Sequence, residues 1–333
     1  MEIAIRVVGF EFRERQAGIT QDHEIYDLGD VALQSGAVLA DAKLAYKTHG
    51  ALNESRDNVI VIPTYYTGTH RENDTYIETM PALDRSRYFI VSINMFGNGV
   101  SSSPSNTLAP QDGPRFPGTT LYDNVACQHR LLTEKFGVNH IALLVGWSMA
   151  ACQSYQWGAQ FPDMMDAILP FCGSARTSPH NILFLDGVKA ALEADGNFNG
   201  GDYTAPPAAG LKAFARVYAG WGFSQAFFRE GLYREQGYDT VDALLADWEV
   251  EYLEWDANDL LHMLWSWQKG AISANDAYGG DFERALAAHP GADHSGALHH
   301  RSLFPTRRQR DRARPYAQRR TAGRLIRNFK HVE

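Results

Sequence analysis

The fold is decided by the stretch Leu143-Leu144-Val145-Gly146-Trp147-Ser148-Met149-Ala150-Ala151, where an apolar run leads directly into helix-forming sequence. The run over residues 141–145 predicts a short strand that is buried on both faces of a parallel sheet. Residues 149–160 predict a helix, which Phe161-Pro162-Asp163 ends. A Gly-x-Ser-x-small pattern at such a junction is typical of a sharp turn that lifts the serine hydroxyl, here that of Ser148, above the sheet.

Small residues are required on both sides of this turn because the strand and the helix cross closely there. Gly146 and Ala150 meet that requirement. The backbone NH of Met149 can then point at a developing oxyanion. The alternative is an ordinary strand-to-helix turn that happens to contain a serine, and the pattern by itself leaves both interpretations open.

Four short runs rich in Ile, Val and Phe predict the strands of a sheet, at residues 58–63, 88–94, 141–146 and 167–171. A helix is predicted from about Asp123 to Phe136, which Asp123 can cap and Gly137 can end. The alternation predicts a mostly parallel α/β sheet flanked by helices. In such a sheet, the loops at the carboxyl ends of the strands form the site.

The alternation stops between about residues 180 and 280, where helical segments carry many aromatic residues. We interpret this region as a helical lid inserted over the sheet; the alternative is that its aromatics only pack it against the core. The predicted organisation is the N-terminal part of the core over residues 1–180, the lid over 181–280, and a C-terminal remainder over 281–333. A chain of 333 residues with 44% hydrophobic content can form such a domain.

Composition favours a reducing compartment. The three cysteines, Cys127, Cys152 and Cys172, lack a metal-like spacing and predict buried free thiols. Residues 1–21 carry several charges and no long apolar core, so we expect no signal peptide, and no run is long enough to span a bilayer. We therefore expect a cytoplasmic protein that binds no membrane and no nucleic acid.

Several segments resemble one known family. Gly146-Trp147-Ser148-Met149-Ala150-Ala151 followed by Phe161-Pro162-Asp163 is similar to the elbow and helix of the homoserine O-acetyltransferase family, within the α/β-hydrolase superfamily. Further similar segments occur in the family's order: Leu44-Ala45-Tyr46-Lys47-Thr48-His49-Gly50, Tyr66-Thr67-Gly68-Thr69-His70, Asn94-Met95-Phe96-Gly97-Asn98-Gly99 and Asp256-Ala257-Asn258-Asp259-Leu260. The resemblance covers about residues 30–288.

The resemblance implies an α/β-hydrolase fold with an inserted helical lid, and serine-dependent acyl transfer through an acyl-enzyme. Ser148 would be the catalytic nucleophile, and the backbone NH groups of Tyr66 and Met149 would form the oxyanion hole. The residues that would line the pocket are Trp147, His70 and Tyr65. The implied partners are a small-molecule acyl donor and an acyl acceptor, with acyl-CoA as a co-substrate, no bound cofactor and no metal. A homodimer is left open.

The chain departs from the family's usual Gly-Gly-Ser-Met-Gly-Gly, because it has Trp147, Ala150 and Ala151 in place of three glycines. Trp147 takes up space in or near the acyl pocket, and Tyr122 stands where the family commonly has Arg. We therefore expect homoserine to be a poor acceptor. Two enzymatic alternatives remain, which are transfer to a hydroxyl compound and transfer to water, as in an esterase. A third alternative is a non-catalytic protein that keeps only the fold.

The last segment differs in composition from the rest of the chain. Residues 289–333 hold 11 Lys and Arg against 3 Asp and Glu, whereas the whole chain holds 31 against 39. An Arg-rich tail is consistent with binding to nucleic acid or membrane phosphates. Translation in a shifted reading frame explains the tail better, because it also accounts for the absence of strand-like apolar runs.

When the first base of the His289 codon is dropped, residues 289–304 can read Ile-Arg-Ala-Arg-Thr-Ile-Pro-Val-Pro-Cys-Thr-Thr-Asp-Leu-Tyr-Phe. This resembles the next strand of the family and the loop with its catalytic aspartate. We therefore predict that the triad Asp and His are missing from the chain as written, and that the tail packs poorly. The tail contains four further histidines that could act as a base, but nothing in the sequence places them next to Ser148: His294, His299, His300 and His331.

Overall fold

A six-stranded mixed sheet forms the centre of the structure, a computed structural model that describes residues 22–289. Its strands are β1 (Glu24–Ala32), β2 (Val38–His49), β3 (Val59–Pro63), β4 (Phe89–Ile93), β5 (Leu143–Trp147) and β6 (Ile168–Phe171). The spatial order is β1-β2-β4-β3-β5-β6, with β1 and β2 antiparallel and β2 antiparallel to β4. The strands from β4 to β6 are parallel, so their carboxyl ends share one edge. The predicted mostly parallel α/β sheet is confirmed.

The helices of the described residues are α1 (His70–Thr79), α2 (Leu121–Arg130), α3 (Met149–Gln160), α4 (Pro179–Glu193), α5 (Ala208–Gly222), α6 (Gln225–Arg229), α7 (Val241–Leu253), α8 (Ala257–Gln268) and α9 (Phe282–Ala287). Helix α3 has the predicted bounds. Helix α2 begins two residues before the predicted start, because Thr120 and not Asp123 is its N-cap. Asp123 is the reciprocal member of the capping box, and its Oδ2 accepts the Thr120 NH at 2.8 Å. A π-helical turn, Leu131–Lys135, continues α2 toward Gly137, whose φ is 61°.

Apolar side chains cover both faces of the sheet, as expected for parallel strands. In β3, Val59 and Val61 join a core cluster with Val125 of α2 and Trp157 of α3. The alternate residues of β3 point to the opposite face, where they pack with Ile77 of α1. At the far edge, β6 pairs only with β5 among the described strands, and Leu169 of β6 is 54% exposed.

The described residues divide into two compact units, a helical one over 183–257 and a sheet-containing one over 22–182 and 258–289. In the helical unit, α5 and α7 pack through aromatic rings. Tyr218 lies 6.1 Å from Phe214, 5.9 Å from Trp248 and 6.0 Å from Tyr252, between ring centroids. That this unit acts as a lid stays a prediction, as do the predicted domain boundaries.

The cysteine prediction is confirmed for two residues and wrong for the third. All three are free thiols, and Cys127 and Cys152 are buried. Cys172 is exposed, because it follows the last residue of β6 and has a φ of 56°, outside the apolar strand. Among residues 22–289, no helix is long and apolar enough to cross a membrane. The predicted frame-shifted tail beyond His289, with its four histidines, lies outside the described residues.

Candidate active site

Strand β5 runs directly into helix α3, and Ser148 is the single residue between them. Its φ of 54° and ψ of −123° are unfavourable for a residue with a side chain. The Ser148 NH donates to the carbonyl of Phe171 at 3.1 Å, which ties the turn to the end of β6. Strand and helix thus meet in the sharp turn that the sequence predicts, and the strain is concentrated at the candidate nucleophile.

Small residues permit this crossing. A Cβ added to Gly146 would overlap the Ala150 carbonyl and would lie 2.6 Å from Ser154 Oγ. On the other side of the turn, a Cβ added to Gly173 would lie 2.6 Å from the Ser148 carbonyl oxygen. Glycine is therefore required at two positions around Ser148, one before the turn and one after β6.

Ser148 is partly exposed, and its side chain does not cap α3. The Ser148 carbonyl accepts the NH groups of Ala151 at 2.9 Å and Cys152 at 3.3 Å. The NH of Met149 belongs to the first helical residue, whose NH has no partner within a helix. The start of α3 therefore offers a positive potential next to the serine hydroxyl, together with a backbone NH, that of Met149, which no helical carbonyl accepts.

The loop after β3 reaches the same edge, because β3 lies beside β5 in parallel, with Val61 opposite Leu144. The loop turns tightly: the Gly68 NH donates to the Tyr65 carbonyl at 2.9 Å, and Thr67 has a φ of 60°. Gln153 of α3 donates from Nε2 to the carbonyl of Thr64 at 2.7 Å. This bond joins the loop to the helix that follows Ser148.

Helix α8 holds the side chain of Tyr66 from the other side. The Tyr66 hydroxyl donates to the Leu260 carbonyl at 3.2 Å, and its ring lies 5.9 Å from that of Trp267. Tyr66 is 3% exposed. The backbone that carries the Tyr66 NH is thus held by a buried side chain, and the role of this NH as an oxyanion donor stays a prediction.

Three aromatic side chains, Trp147, Tyr65 and Tyr76, form what we call the aromatic wall. The Trp147 ring lies 4.8 Å from that of Tyr65 and 6.5 Å from that of Tyr76. Burial raises the pKa of Tyr76, although the neighbouring Tyr65 acts in the opposite direction. The sequence prediction included Trp147 and Tyr65 but missed Tyr76, which joins them from α1, a helix that no sequence pattern assigned to the site.

The indole of Trp147 faces the thiol of Cys172. Its Nε1 is buried and makes no hydrogen bond to nitrogen or oxygen in the described part of the chain. Burial raises the pKa of the Cys172 thiol, although the Trp147 indole acts in the opposite direction. Cys172 therefore stays protonated near neutral pH.

His70, predicted to line the pocket, lies in a separate polar cluster. It is 1% exposed, its Nδ1 lies 3.0 Å from Asn94 Nδ2, and its Nε2 lies 3.0 Å from Asp22 Oδ1. Both ring nitrogens of His70 thus have polar neighbours. His70 thus connects α1, the residue after β4 and the segment before β1, and it does not line the cavity that borders the aromatic wall.

The same cluster is the group of described residues whose ligand atoms could hold a metal. Asp22, His23 and His70 each offer an atom within 4.8 Å of the others. Arg71 lies 3.3 Å from Asp22 Oδ1, and Lys47 lies 3.5 Å from Asp22 Oδ2. Although partial burial opposes it, hydrogen bonds with His70 and Arg71 hold the pKa of Asp22 well below its usual value. The carboxylate charge is therefore already neutralised by side chains.

No histidine within residues 22–289 is hydrogen-bonded to Ser148. His262 of α8 contacts other residues: its Nε2 lies 2.8 Å from Thr119 Oγ1, and its ring lies 4.8 Å from that of Phe116. Burial lowers the pKa of His262 to about 3. The described residues thus place no histidine as a hydrogen-bond partner of the candidate nucleophile Ser148.

Tyr122 lies away from the elbow. It lines a cavity of about 430 Å³ between the β1–β2 hairpin and α2, together with Gln34, Asp123 and Arg130. Its carbonyl accepts a hydrogen bond from Gln160 Nε2 at 3.3 Å. No contact with the elbow serine is recorded for Tyr122 within the described residues.

Comparison with known proteins identifies related enzymes. A family model described as alpha/beta hydrolase fold matches residues 57–225. A probable esterase from Corynebacterium glutamicum is 39% identical over 275 residues, which are 81% of this chain and 78% of that protein. An ethyl acetate hydrolase from Pseudomonas veronii is 38% identical over 267 residues, or 79% and 76% of the two chains.

A more distant relative is a homoserine O-acetyltransferase from Haemophilus influenzae, 30% identical over 270 residues, which are 73% of this chain and 75% of that protein. Among solved structures, an acetylester hydrolase from Corynebacterium glutamicum matches with a TM-score of 0.76 at 38% identity. The match covers 80% of this chain and 77% of that one. The expected resemblance to homoserine O-acetyltransferases is confirmed, and the relatives of higher identity named here are esterases.

Proposed function

The chain belongs to the α/β-hydrolase fold family and is a hydrolase or acyltransferase of that superfamily, and from this premise we propose that it is an esterase in which Ser148 takes the acyl group of short-chain esters. The observation that carries the proposal is the partly exposed Ser148 at the strained turn between β5 and α3. The esterase and ethyl acetate hydrolase relatives support water as the acceptor and a small acyl group.

In the proposed reaction, Ser148 Oγ attacks the ester carbonyl and its proton passes to a base. Charge that develops on the carbonyl oxygen is stabilised by the backbone NH groups of Met149 and Tyr66. The tetrahedral intermediate then expels the alcohol, which leaves with the proton, and an acyl-enzyme remains on Ser148. Attack by water on this acyl-enzyme releases the carboxylic acid and restores the serine.

The base is the part of this reaction that residues 22–289 do not supply. In α/β-hydrolases the triad follows the order Ser, Asp, His, so both partners of Ser148 come later in the chain. We propose that they belong to the shifted reading frame beyond Ala288. The chain as written should then retain only the residual rate that an oxyanion hole provides without a base.

Acyl transfer from acyl-CoA to a hydroxyl compound is the second candidate, and the homoserine O-acetyltransferase relative supports it. Its chemistry up to the acyl-enzyme is the same as that of the esterase. The bulk of Trp147 beside the nucleophile argues against homoserine as the acceptor. Water therefore remains the acceptor that we favour.

Intact-mass spectrometry after mixing with p-nitrophenyl acetate or acetyl-CoA tests the proposal. A frame-restored protein should gain one acetyl group rapidly and the chain as written only slowly, and Ser148→Ala should abolish the gain in both. Ser154→Ala is the matched control, because Ser154 is buried on the same helix and donates to the Ala150 carbonyl at 2.9 Å.

Two results would change the conclusion. The absence of any acyl-enzyme in the frame-restored protein would favour the non-catalytic alternative. Rapid acylation of the chain as written would mean that a tail histidine reaches Ser148, and the frameshift prediction would be wrong. Addition of homoserine then separates the two enzymatic candidates, since an esterase should release acetate at the same rate with or without it.

A further inference from the structure

The aromatic wall adjoins both groups on which the proposed chemistry depends. Trp147 immediately precedes the nucleophile Ser148, and Tyr65 immediately precedes Tyr66 in the loop after β3. The Trp147 and Tyr65 rings are in edge-to-face contact at 4.8 Å. The side chains of Trp147 and Tyr65 therefore close the space next to the elbow on the α1 side of the sheet. Each is the chain neighbour of a residue that carries a proposed catalytic group.

Only a small cavity remains behind this wall. Its volume is about 30 Å³, which is room for one or two water molecules. Its lining is almost entirely apolar and comes from α1 and the residues just after it, from the loop after β3, and from strands β3, β5 and β6. The residues that surround it are Ile62, Pro63, Tyr65, Asn73, Tyr76, Met80, Leu83, Val145, Gly146, Trp147 and Phe171.

The wall is held rigidly. Tyr76 lies on α1, whose start is fixed by the reciprocal hydrogen bonds of Thr69 and Glu72. The same helix is tied to the sheet by Asn73, whose Nδ2 donates to Ser92 Oγ at 2.9 Å and to the Ile62 carbonyl at 3.2 Å. A ligand that needs more space must therefore displace packed, hydrogen-bonded elements, which costs more than a change of one side-chain rotamer.

We propose that the aromatic wall, and Trp147 above all, restricts Ser148 to acetyl and similarly short acyl groups by closing the entrance to this cavity. The proposal rests on the proposed esterase function and adds the chain length of its substrate. Without the Trp147 indole, the cavity and the indole site become one apolar channel between α1 and β5. A hexanoyl chain can then enter this channel, while an acetyl group gains nothing from it.

Ligand binding to variants that lack Ser148 tests the wall, because these proteins cannot form an acyl-enzyme on that serine. Full-chain Ser148→Ala and Ser148→Ala/Trp147→Ala proteins are titrated with ethyl acetate and with ethyl hexanoate by ligand-observed NMR. Loss of the indole should raise the affinity for ethyl hexanoate at least about tenfold relative to that for ethyl acetate. Ser148→Ala/Phe136→Ala is the matched control, because Phe136 packs against Tyr46 and Phe89 at the other end of the sheet. An unchanged affinity ratio without Trp147 overturns the proposal.

Acylation of the Ser148-containing chain separates this proposal from the proposed function. Wild type should react faster with p-nitrophenyl acetate than with p-nitrophenyl hexanoate, and Trp147→Ala should reduce that ratio at least about tenfold. No acyl-enzyme with either ester in the frame-restored protein, together with a changed binding ratio in the full chain, refutes the esterase and leaves the wall assignment supported. Acylation with an unchanged ratio refutes the wall alone. If Trp147→Ala does not fold, Trp147→Leu keeps an apolar side chain there and must shift both ratios in the same direction.

Discussion

His289 is a buried histidine without polar partners among residues 22–289, and its replacement by isoleucine should stabilise the protein. The residue is 3% exposed, and neither ring nitrogen has a hydrogen-bond partner in the described structure. The ring lies 5.8 Å from that of Tyr155, and a Cβ added to Gly158 would lie 2.5 Å from His289 Nδ1. Tyr155 belongs to an apolar cluster with Ala159, Ile272 and Ala285. Isoleucine, which the shifted frame can encode at this position, fits such surroundings.

The expected gain has two parts. A buried unpartnered polar atom costs about 1–3 kcal/mol, so we expect His289→Ile to raise the free energy of unfolding by about 2 kcal/mol at pH 7.5. Burial lowers the pKa of His289 to about 4 from its ordinary 6.5. Between these values the unfolded chain binds a proton that the folded chain does not, so wild-type stability falls as the pH falls. At pH 5 this loss is about 2 kcal/mol, and the total advantage of isoleucine becomes about 4 kcal/mol.

Urea-induced unfolding of the full chain at pH 7.5 and pH 5 measures both parts. His140→Ile is the control, because His140 lies on the surface, 3.0 Å from Asp166 Oδ1, and its loss should change stability by no more than about 1 kcal/mol. A His289→Ile protein that is no more stable than wild type at either pH would refute the reasoning. The ring would then have a polar partner, and the structural support for isoleucine in the shifted frame would disappear.

Two further substitutions test the crossing at the elbow and the second buried histidine. Gly146→Ala should lower the free energy of unfolding by about 1–3 kcal/mol through overlap with the Ala150 carbonyl. Gly187→Ala is the control, because Gly187 lies in α4 with no atom within 4 Å of the new Cβ, and it should raise the free energy of unfolding by about 0.5–1 kcal/mol. Equal effects of the two substitutions on unfolding in urea would contradict the close crossing. His262→Gln can keep the hydrogen bond to Thr119 Oγ1, but glutamine does not titrate. The number of protons taken up on unfolding at pH 5, measured from the pH dependence of stability, should therefore fall by about one. An unchanged number would mean that His262 is already protonated in the folded protein.

The parallel part of the sheet could be predicted from the sequence because buried strands consist of continuous apolar runs. The predicted run 58–63 became β3, Val59–Pro63, and the predicted helix 149–160 became α3 without change. The start of α2 was predicted wrongly because Thr120 and Asp123 cap each other, and either residue alone could serve as an N-cap. Cys172 was misplaced because it is only one residue beyond an apolar strand, where the chain already turns outward.

The site was predictable where it depends on strand ends, and unpredictable where it depends on packing between distant segments. Ser148 follows β5 and Tyr66 follows β3, and adjacent parallel strands bring their carboxyl ends together. The position of Tyr76 in the wall depends on how α1 packs on the sheet, which no local pattern encodes. The same holds for His70, whose partner Asp22 is 48 residues away in the chain.

The strained elbow bears on the choice between an enzyme and a non-catalytic relative. A side chain at φ 54° and ψ −123° costs about 1–3 kcal/mol, and such a conformation persists only where the surrounding structure imposes it. Here the bond from Ser148 NH to Phe171 and the glycines at 146 and 173 impose it. A protein that only needed the fold could relax this turn with glycine at position 148 or with a looser crossing. The sequence up to Ala288 therefore encodes a turn suited to a nucleophile, while its base is absent from the described residues. The predicted frameshift would account for both facts, because the displacement that removes the triad Asp and His would also put a buried histidine in place of isoleucine at 289.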